Sequence, residues 1–425
     1  MRHGIKAISP LLVFILFYLA TSIFVGDFYK IPIIVGFLVS CVYGIIISTG
    51  RPLAKRIDTF SQGAGSQQII QMIWIFVFAG AFASSAKAIG CIDATVNLTL
   101  YFLPTNMLLA GLFLAACFVS LSVGTSVGTI VTLVPIAAGV AQQTGFSQEM
   151  IVAVVVGGAF FGDNLSFISD TTIVATSSQG CRLSDKFKAN ILIVLPAAIA
   201  ILLLYIIIGA DKMPPSVPHE IEPIKVLPYL TVLFAALYGL NVMVVLAIGI
   251  ALTGAIGIIN GNCGIFGWFS AINTGVISMG ELIIVTMLAG GLLALIKENG
   301  GIDFIIHTLI KGIKSKRGAE FAIVTLVGIV DICTANNTVA ILTVGGLVKR
   351  VSERYGIDPR RAASLLDTAS CCVQGIIPYG AQILMAAGLA SVAPMGILAY
   401  LYYPYCLLAM LVLAIIFRFP RRYCR

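Results

Sequence analysis

The sequence predicts an all-α polytopic membrane protein. It reads as two inverted-topology repeats, each with about five transmembrane helices, one of them broken, plus one re-entrant hairpin. Three observations carry this. Hydrophobic residues make up 59% of the chain and charged residues 10%, against roughly 25% charged in a soluble domain. Apolar runs recur at 11–25, 31–47, 69–82, 191–208, 242–259 and 397–416, each near the roughly 20 residues that take a helix across about 30 Å of hydrocarbon. The chain also resembles itself. FAGAFASSAKAIGCID (78–93) and LAGGLLALIKENGGID (288–303) share Ala79/Ala289, Gly80/Gly290, Lys87/Lys297, Gly90/Gly300, Ile92/Ile302 and Asp93/Asp303.

The repeat sets the organisation, because self-similarity outranks local propensity as a fold signal. Thr132 and Gly145 find their mates at Thr343 and Gly356, and GAFFGDNLSFISDTT falls on ASCCVQGIIPYGAQI. The halves are therefore 1–210 and 211–425, joined by the Pro-rich GADKMPPSVPHEIEPIK. Backbone groups in lipid must be satisfied within the segment, so the spans are helices, and nothing alternates like a lipid-facing barrel strand.

The first half offers helices at 9–26, 30–49 and 68–88, a hairpin at 106–144 turning near 122–129, a broken helix at 150–180 and a helix at 188–209. The second half offers 222–239, 242–260 and 278–297, a hairpin at 320–350 turning near 331–338, a broken helix at 362–394 and a helix at 397–417. Basic residues cluster at MRHGIK, 51–56, 182–188, 311–317, 349–361 and RFPRRYCR. All of them fit on the cytoplasmic side, with both termini there, in a multi-pass protein of the cell (inner or plasma) membrane. Equivalent loops swap sides: 51–56 is basic while 261–274 carries no charge, and 311–317 is basic while 100–109 carries none. An odd number of crossings per half with swapped loops means inverted repeats. The net charge of +8 is thus a topology signal and no sign of a nucleic-acid partner. MRHGIK with the run behind it imitates a signal peptide, but the repeat needs that helix. The ten cysteines lie mostly in apolar runs without framework spacing and read as small core residues.

Inverted repeats with discontinuous helices are the architecture of secondary transporters, whose half-helix ends meet near the midplane. Broken backbone at that depth is tolerated where it lines a cavity or is buried in protein. FFGDNLSFISDTT (160–172) is such a break. Of the acids, Asp163, Asp170, Asp331 and Asp367 fall well inside apolar segments, each at a cost of about 2.5–3.5 kcal/mol near the bilayer centre. No Lys or Arg is expected at their depth, since Lys87 and Lys297 sit at helix ends. A carboxylate so placed must hold a proton or a cation, which is the chemistry of an exchanger. The available ligands are oxygens, which suit a hard cation such as Na+.

The expected ion and proton site gathers Asp163, Asn164, Ser169, Asp170 and Thr171 from the first break. Asp367, Gln374 and Gln382 come from the second, Thr125 and Ser126 from the first hairpin turn, and Asp331, Asn336 and Asn337 from the second. Asp163 and Asp170 are the expected Na+ carboxylates. Aspartate also caps helices well, so Asp170 before Thr171 serves equally as a cap. Asp331 serves equally as a hydrogen-bonding group of its turn. Gly157, Gly158, Gly290 and Gly291 read best as close-packing positions, and His219 and His307 as solvated.

GGAFFGDNLSFISDTT resembles the signature segment of the NhaC-type Na+/H+ antiporter family, and VQGIIPYGAQ (373–382) its partner segment. The resemblance spans nearly the whole chain. It implies a fold similar to the wider ion-transporter superfamily and exchange of cytoplasmic Na+ for external H+. It also places the family's characteristic acids on Asp163 and Asp170. Family patterns often carry a basic residue and a proline where this chain has Asn164 and Phe167. Na+, with Li+ as a further cargo, and H+ are the expected partners, together with the lipid bilayer. No cofactor is expected, and a second copy of the chain, as a homodimer, stands among the expected partners.

The alternative is a Na+- or H+-coupled exchanger of a small organic acid or amino acid, which would want a fixed positive group or helix N-termini for the carboxylate. An enzyme is not expected. An intramembrane aspartyl protease would need Gly where Phe160 stands, and proteolysis leaves the repeat unexplained. A channel fits broken helices in an inverted repeat less well than alternating access does.

Overall fold

The computed structural model describes residues 2–25, 32–102, 105–167, 169–210, 222–238, 240–311 and 313–423. Most of the predicted linker, with His219, lies outside the described residues. The first half comprises α1 (Arg2–Val25), α2 (Ile33–Ile47), α3 (Leu53–Ala64), α4 (Gln67–Ala88), α5 (Cys91–Phe102), α6 (Leu108–Val123), α7 (Ser126–Thr144), α8 (Gln148–Leu165), α9 (Asp170–Gln179) and α10 (Leu183–Gly209). The second comprises α11 (Pro223–Leu237), α12 (Val242–Ile259), α13 (Ile265–Ser278), α14 (Gly280–Glu298), α15 (Gly301–Lys311), α16 (Lys316–Thr334), α17 (Asn337–Tyr355), α18 (Pro359–Gln374), α19 (Ala381–Ala390), α20 (Pro394–Tyr400) and α21 (Tyr402–Ile416). The series run in parallel, α1 with α11 through α9 with α19, and α10 with α20 and α21 together. Among the described residues six helices are long and apolar enough to cross a membrane, or up to seven if a bent pair counts as one span. The predicted spans around α1, α2, α11 and α21 are shorter apolar helices.

The turns repeat as faithfully as the helices. Left-handed backbone recurs at Gly50/Gly261, Gly90/Gly300, Gly124/Ala335, Gly145/Gly356 and Gly180/Ser391. Each hairpin turns through two residues, one left-handed (Gly124 or Ala335) and one extended (Thr125 or Asn336). An L-residue in that conformation brings its Cβ against the following carbonyl, at a cost of roughly 1–2 kcal/mol, so Ala335 holds the second tip against its own preference.

Four helices have no counterpart among the predicted spans: α3, α5, α13 and α15. At 11–14 residues they escape a search keyed on membrane-length apolar runs. The basic stretch 51–56 opens α3, which packs on α14, and reciprocally α13 packs on α4. Both crossings are glycine contacts. A Cβ on Gly63 would stand 2.6 Å from the Gly290 carbonyl oxygen, and a Cβ on Gly80 would stand 2.9 Å from the Gly275 carbonyl carbon. Small residues let backbones touch where lipid supplies no hydrophobic drive. The predicted last span is interrupted after Tyr400. Pro404 cannot donate to the Tyr400 carbonyl, and its ring crowds that group. The α19–α20 pair bends by 106° at left-handed Ser391, and Pro394 starts the next helix.

Contacts join the basic segments in two groups, 1–6 with 49–56 and 311–317 with 349–361 and the C-terminal tail. Lys6 bonds Thr49, Arg51 pairs with Glu298, Tyr355 Oη bonds the Ile313 carbonyl, and Arg361 reaches the Phe419 carbonyl.

Candidate functional site

The first break follows from its neighbours. Gly158 and Gly162 let α8 lie directly on α6, where a Cβ on Gly158 would stand 2.6 Å from the Phe113 carbonyl oxygen. The helix ends at Leu165, with extended Ser166 as its cap, and α9 restarts behind extended Ser169. The Ser166 hydroxyl donates to the Leu121 carbonyl at 2.9 Å. Asp163 thus arrives beside the first hairpin tip. It is 5% exposed and accepts from the Ser126 hydroxyl at 2.7 Å and the Ser169 hydroxyl at 2.6 Å. Thr171 Oγ1 is 2.9 Å from Ser169 Oγ. Among the described residues no Lys, Arg or His forms an ion pair with Asp163.

A hydrogen-bond chain leads from Asp163 into the second half. Gln382 donates to Ser126 Oγ at 3.1 Å and accepts from Gln374 at 2.8 Å. Gln374 also donates to the Ala335 carbonyl, at the second hairpin tip, at 3.0 Å. Asn336 caps α17 through Val339 N at 3.0 Å, and Asn337 is buried behind it. The chain ties both hairpin tips and both breaks together, bringing Asp163, Ser126, Ser169, Gln374 and Gln382 into one network. Thr125 stands half-buried at the first tip.

Asp170 is placed differently. It opens α9 as its first residue and is exposed. The cap position itself belongs to Ser169, so a run of polar residues does not tell which one faces inward.

The expectation of no buried basic partner is corrected. Lys186, 1% exposed, forms an ion pair with Asp367. Its ammonium also donates to the Asn164 carbonyl at 2.5 Å and to Thr172 Oγ1 at 3.0 Å, which uses all three of its protons. Asn190 bonds the Asn164 carbonyl at 3.1 Å and the Asn164 Oδ1 at 2.6 Å, and accepts from Ser364 and Thr368 at 2.8 and 2.7 Å. The carbonyl freed by the first break is therefore held by two side chains of α10. The charge of Lys186 suggested a cytoplasmic loop. The signal was periodicity: Lys186, Ala189, Asn190, Ile193 and Ala197 share the buried stripe of α10. A second buried pair also went unforeseen, with Arg361 reaching Glu320 at 3.3 Å.

These pairs sort the acids. Among the described residues the buried ones are Asp163, Glu320, Asp331 and Asp367. Fixed cations neutralise Glu320 and Asp367. Asp163 and Asp331 have none.

Two cavities are lined by repeat-equivalent positions, and one of them reaches the network. One of about 240 Å³ is lined by Gly290 and Lys297 and reaches the second hairpin tip at Thr334, Ala335 and Asn336, with Ala381 beside Gln382. The other, of about 390 Å³, is lined by Gly80 and Lys87 and stops along α7 at Pro135 and Gly139. The nine described cysteines are free, and His307 is exposed.

The model of the Na+/H+ antiporter family matches residues 4–210 and 217–420. The chain is 24% identical to the Na+/H+ antiporter NhaC of Alkalihalophilus pseudofirmus, covering 91% of this chain and 89% of that one. It is 24% identical to NhaC of Bacillus subtilis over 84% and 85% of the two chains. It is 20% identical to the malate-2H+/Na+-lactate antiporter of B. subtilis over 81% and 80%. Among solved structures, the YdaH transporter of Alcanivorax borkumensis aligns at a TM-score of 0.44 and 14% identity, over 91% of this chain and 99% of that one.

Proposed function

The chain belongs to the Na+/H+ antiporter family, and from that premise we propose that it exchanges Na+ for H+ across the cell membrane by alternating access, with Li+ as a further cargo. One observation carries the mechanism: Asp163 is buried with two hydroxyl partners and no fixed cation. An ion at that depth needs a counter-charge, and the two candidates are a proton and Na+. The Ser126 and Ser169 hydroxyls stabilise the carboxylate as donors. By rotating, they offer lone pairs to a cation held by the carboxylate. Na+ and H+ thus compete for one group, and competition at a site open to one side at a time is exchange.

The repeats, 1–210 and 211–425, are the moving units of this proposal, related by inverted topology. The loops that carry the basic segments are cytoplasmic in this reading, and both termini lie on that side. Asn164 and Asp367 serve in this scheme as fixed framework, because Asn190 holds the Asn164 side-chain oxygen and Lys186 holds its carbonyl and the Asp367 carboxylate. The organic-acid alternative is not favoured. It wants a buried positive group for the carboxylate, and the buried cations Lys186 and Arg361 are each neutralised by an acid.

The test is purified protein in liposomes with an internal pH dye and an imposed proton gradient. Na+, Li+, K+ and a panel of carboxylates are added separately. Na+ is expected to collapse the gradient, and the Asp163→Asn protein, inserted normally, to leave it intact. A response to a carboxylate with none to any cation would replace the proposal with organic-solute exchange.

A further inference from the structure

Helices α10 and α21 pack on each other, and a groove of about 290 Å³ lies between them, close to the lower bound of about 300 Å³ for small-molecule sites. Its helical lining is apolar: Ile193 from α10, and Met410, Leu413 and Ala414 from α21. Phe417, Phe419 and Arg421 line it from the chain that follows α21. Ile193 lies about 15 Å along α10 from Leu183, at about 1.5 Å per residue. That is half of about 30 Å of hydrocarbon, so the groove runs through one leaflet. Leu413, Phe417 and Phe419 are 44%, 70% and 43% exposed, on a face that meets lipid.

The cation in this lining is held in place. The Phe419 carbonyl accepts from Arg361 at 2.8 Å. Tyr423 is buried, with the Arg360 guanidinium 5.1 Å from its ring centre. Arg421 thus lies between two fastened residues. Among the described residues no acid pairs with Arg421, whereas Arg360 has Asp358 and Arg361 has Glu320. A basic tail satisfies the topology rule wherever its side chains point. That rule does not account for an arginine fixed in the lining of an apolar groove.

We propose that this groove binds an anionic phospholipid of the cytoplasmic leaflet, with one acyl chain along Ile193, Met410 and Ala414 and the headgroup phosphate on Arg421. A guanidinium matches phosphate with paired donors, and anionic lipids give the cytoplasmic surface its negative potential. A free inorganic anion would leave the apolar lining unused. A zwitterionic lipid would bring its own cation up to Arg421. Phe419 connects the groove to the exchange core: Arg361, which holds its carbonyl, is fully buried on α18 and pairs with Glu320 of α16. A bound lipid therefore steadies the helix that carries Asp367 and Gln374. The proposal rests on the cytoplasmic placement of the tail in the exchange reading, not on its ion chemistry.

Native mass spectrometry of the purified full chain in detergent, titrated with phosphatidylglycerol or phosphatidylcholine, tests this without transport. Wild type should hold phosphatidylglycerol about fivefold more tightly than phosphatidylcholine, the worth of one arginine at an anionic headgroup. Arg421→Gln should lose that preference and keep its phosphatidylcholine binding. Leu413→Trp, which fills the groove from its exposed side, should lose both lipids. Arg422→Gln, outside the lining, should bind as wild type does. Equal affinity of wild type for the two lipids, an undiminished preference in Arg421→Gln, an equal loss in Arg422→Gln or continued binding by Leu413→Trp would overturn the site. Displacement of phosphatidylglycerol by inorganic phosphate at equal concentration would overturn it too, and assign Arg421 to a free anion. An oligomer that Leu413→Trp reduces to monomers, with lipid binding unchanged, would assign the groove to a second copy of the chain. Failed exchange in liposomes would leave the lipid site standing, and failed lipid binding would leave exchange standing.

Discussion

Replacing Lys186 by Met should destabilise the protein out of proportion to one side chain. The ammonium donates to Asp367, Thr172 Oγ1 and the Asn164 carbonyl, all buried. Removing it leaves Asp367 with the Thr172 hydroxyl at 3.1 Å and the weak Cys371 thiol at 3.9 Å. A buried carboxylate stripped of its cation costs about 3–5 kcal/mol. In a chain of this size each kcal/mol moves the melting temperature by about 1–2 °C, so a fall of about 3–10 °C is expected. Removing both charges, Lys186→Met with Asp367→Leu, should recover most of it, because apolar replacement of a buried pair is often neutral. The assay is thermal unfolding in detergent of wild type, both single variants and the double variant. A Lys186→Met protein that melts within about 1 °C of wild type, or a double variant worse than either single one, would refute the claim that this pair is closed and compensated.

Three further outcomes follow from the repeat. Gly124→Ala should cost about 1–2 kcal/mol, since it places a Cβ in left-handed backbone, while Ala335→Gly at the equivalent tip should cost nothing or stabilise; melting curves of the pair check the sign. Gly63→Val and Gly80→Val, at the two glycine crossings, should each slow exchange in liposomes and lower thermal stability, because valine cannot fit where even a Cβ stands within 3 Å of the opposing backbone. Gln382→Ala should leave the protein folded and raise the Na+ concentration for half-maximal exchange by about tenfold, the worth of one hydrogen bond to the Ser126 hydroxyl that holds Asp163; the concentration dependence of dye dequenching measures it.

Much of this architecture was legible before any coordinate. Composition gave the membrane class, and the repeat gave the pairing of elements. The hairpin turns fell at Ser122–Thr129 and Asp331–Thr338 because polar, turn-forming residues interrupt apolar arms there. The first break was legible for the same reason, and with it Asp163, Ser126 and Ser169. What the sequence hid was direction. Asp163 and Asp170 look equivalent in FFGDNLSFISDTT, yet one faces the hairpin and the other stands exposed at the start of α9, a difference set by where the backbone unwinds. Lys186 was hidden by its charge, which mimics a topology signal, although its place on the apolar stripe of α10 was visible. Helices α3, α5, α13 and α15 were hidden by length. They pack against other helices, which a search for spans does not register.

The most direct test of the central claim is whether Na+ displaces a proton from Asp163. Titrating Na+ into the purified protein by calorimetry, in buffers of different ionisation enthalpy, reads the protons released on binding. The account predicts release that fades as pH rises, and that is smaller by about one proton per chain in Asp163→Asn. Na+ binding with no proton release at any pH, or with release unchanged in that variant, would contradict it.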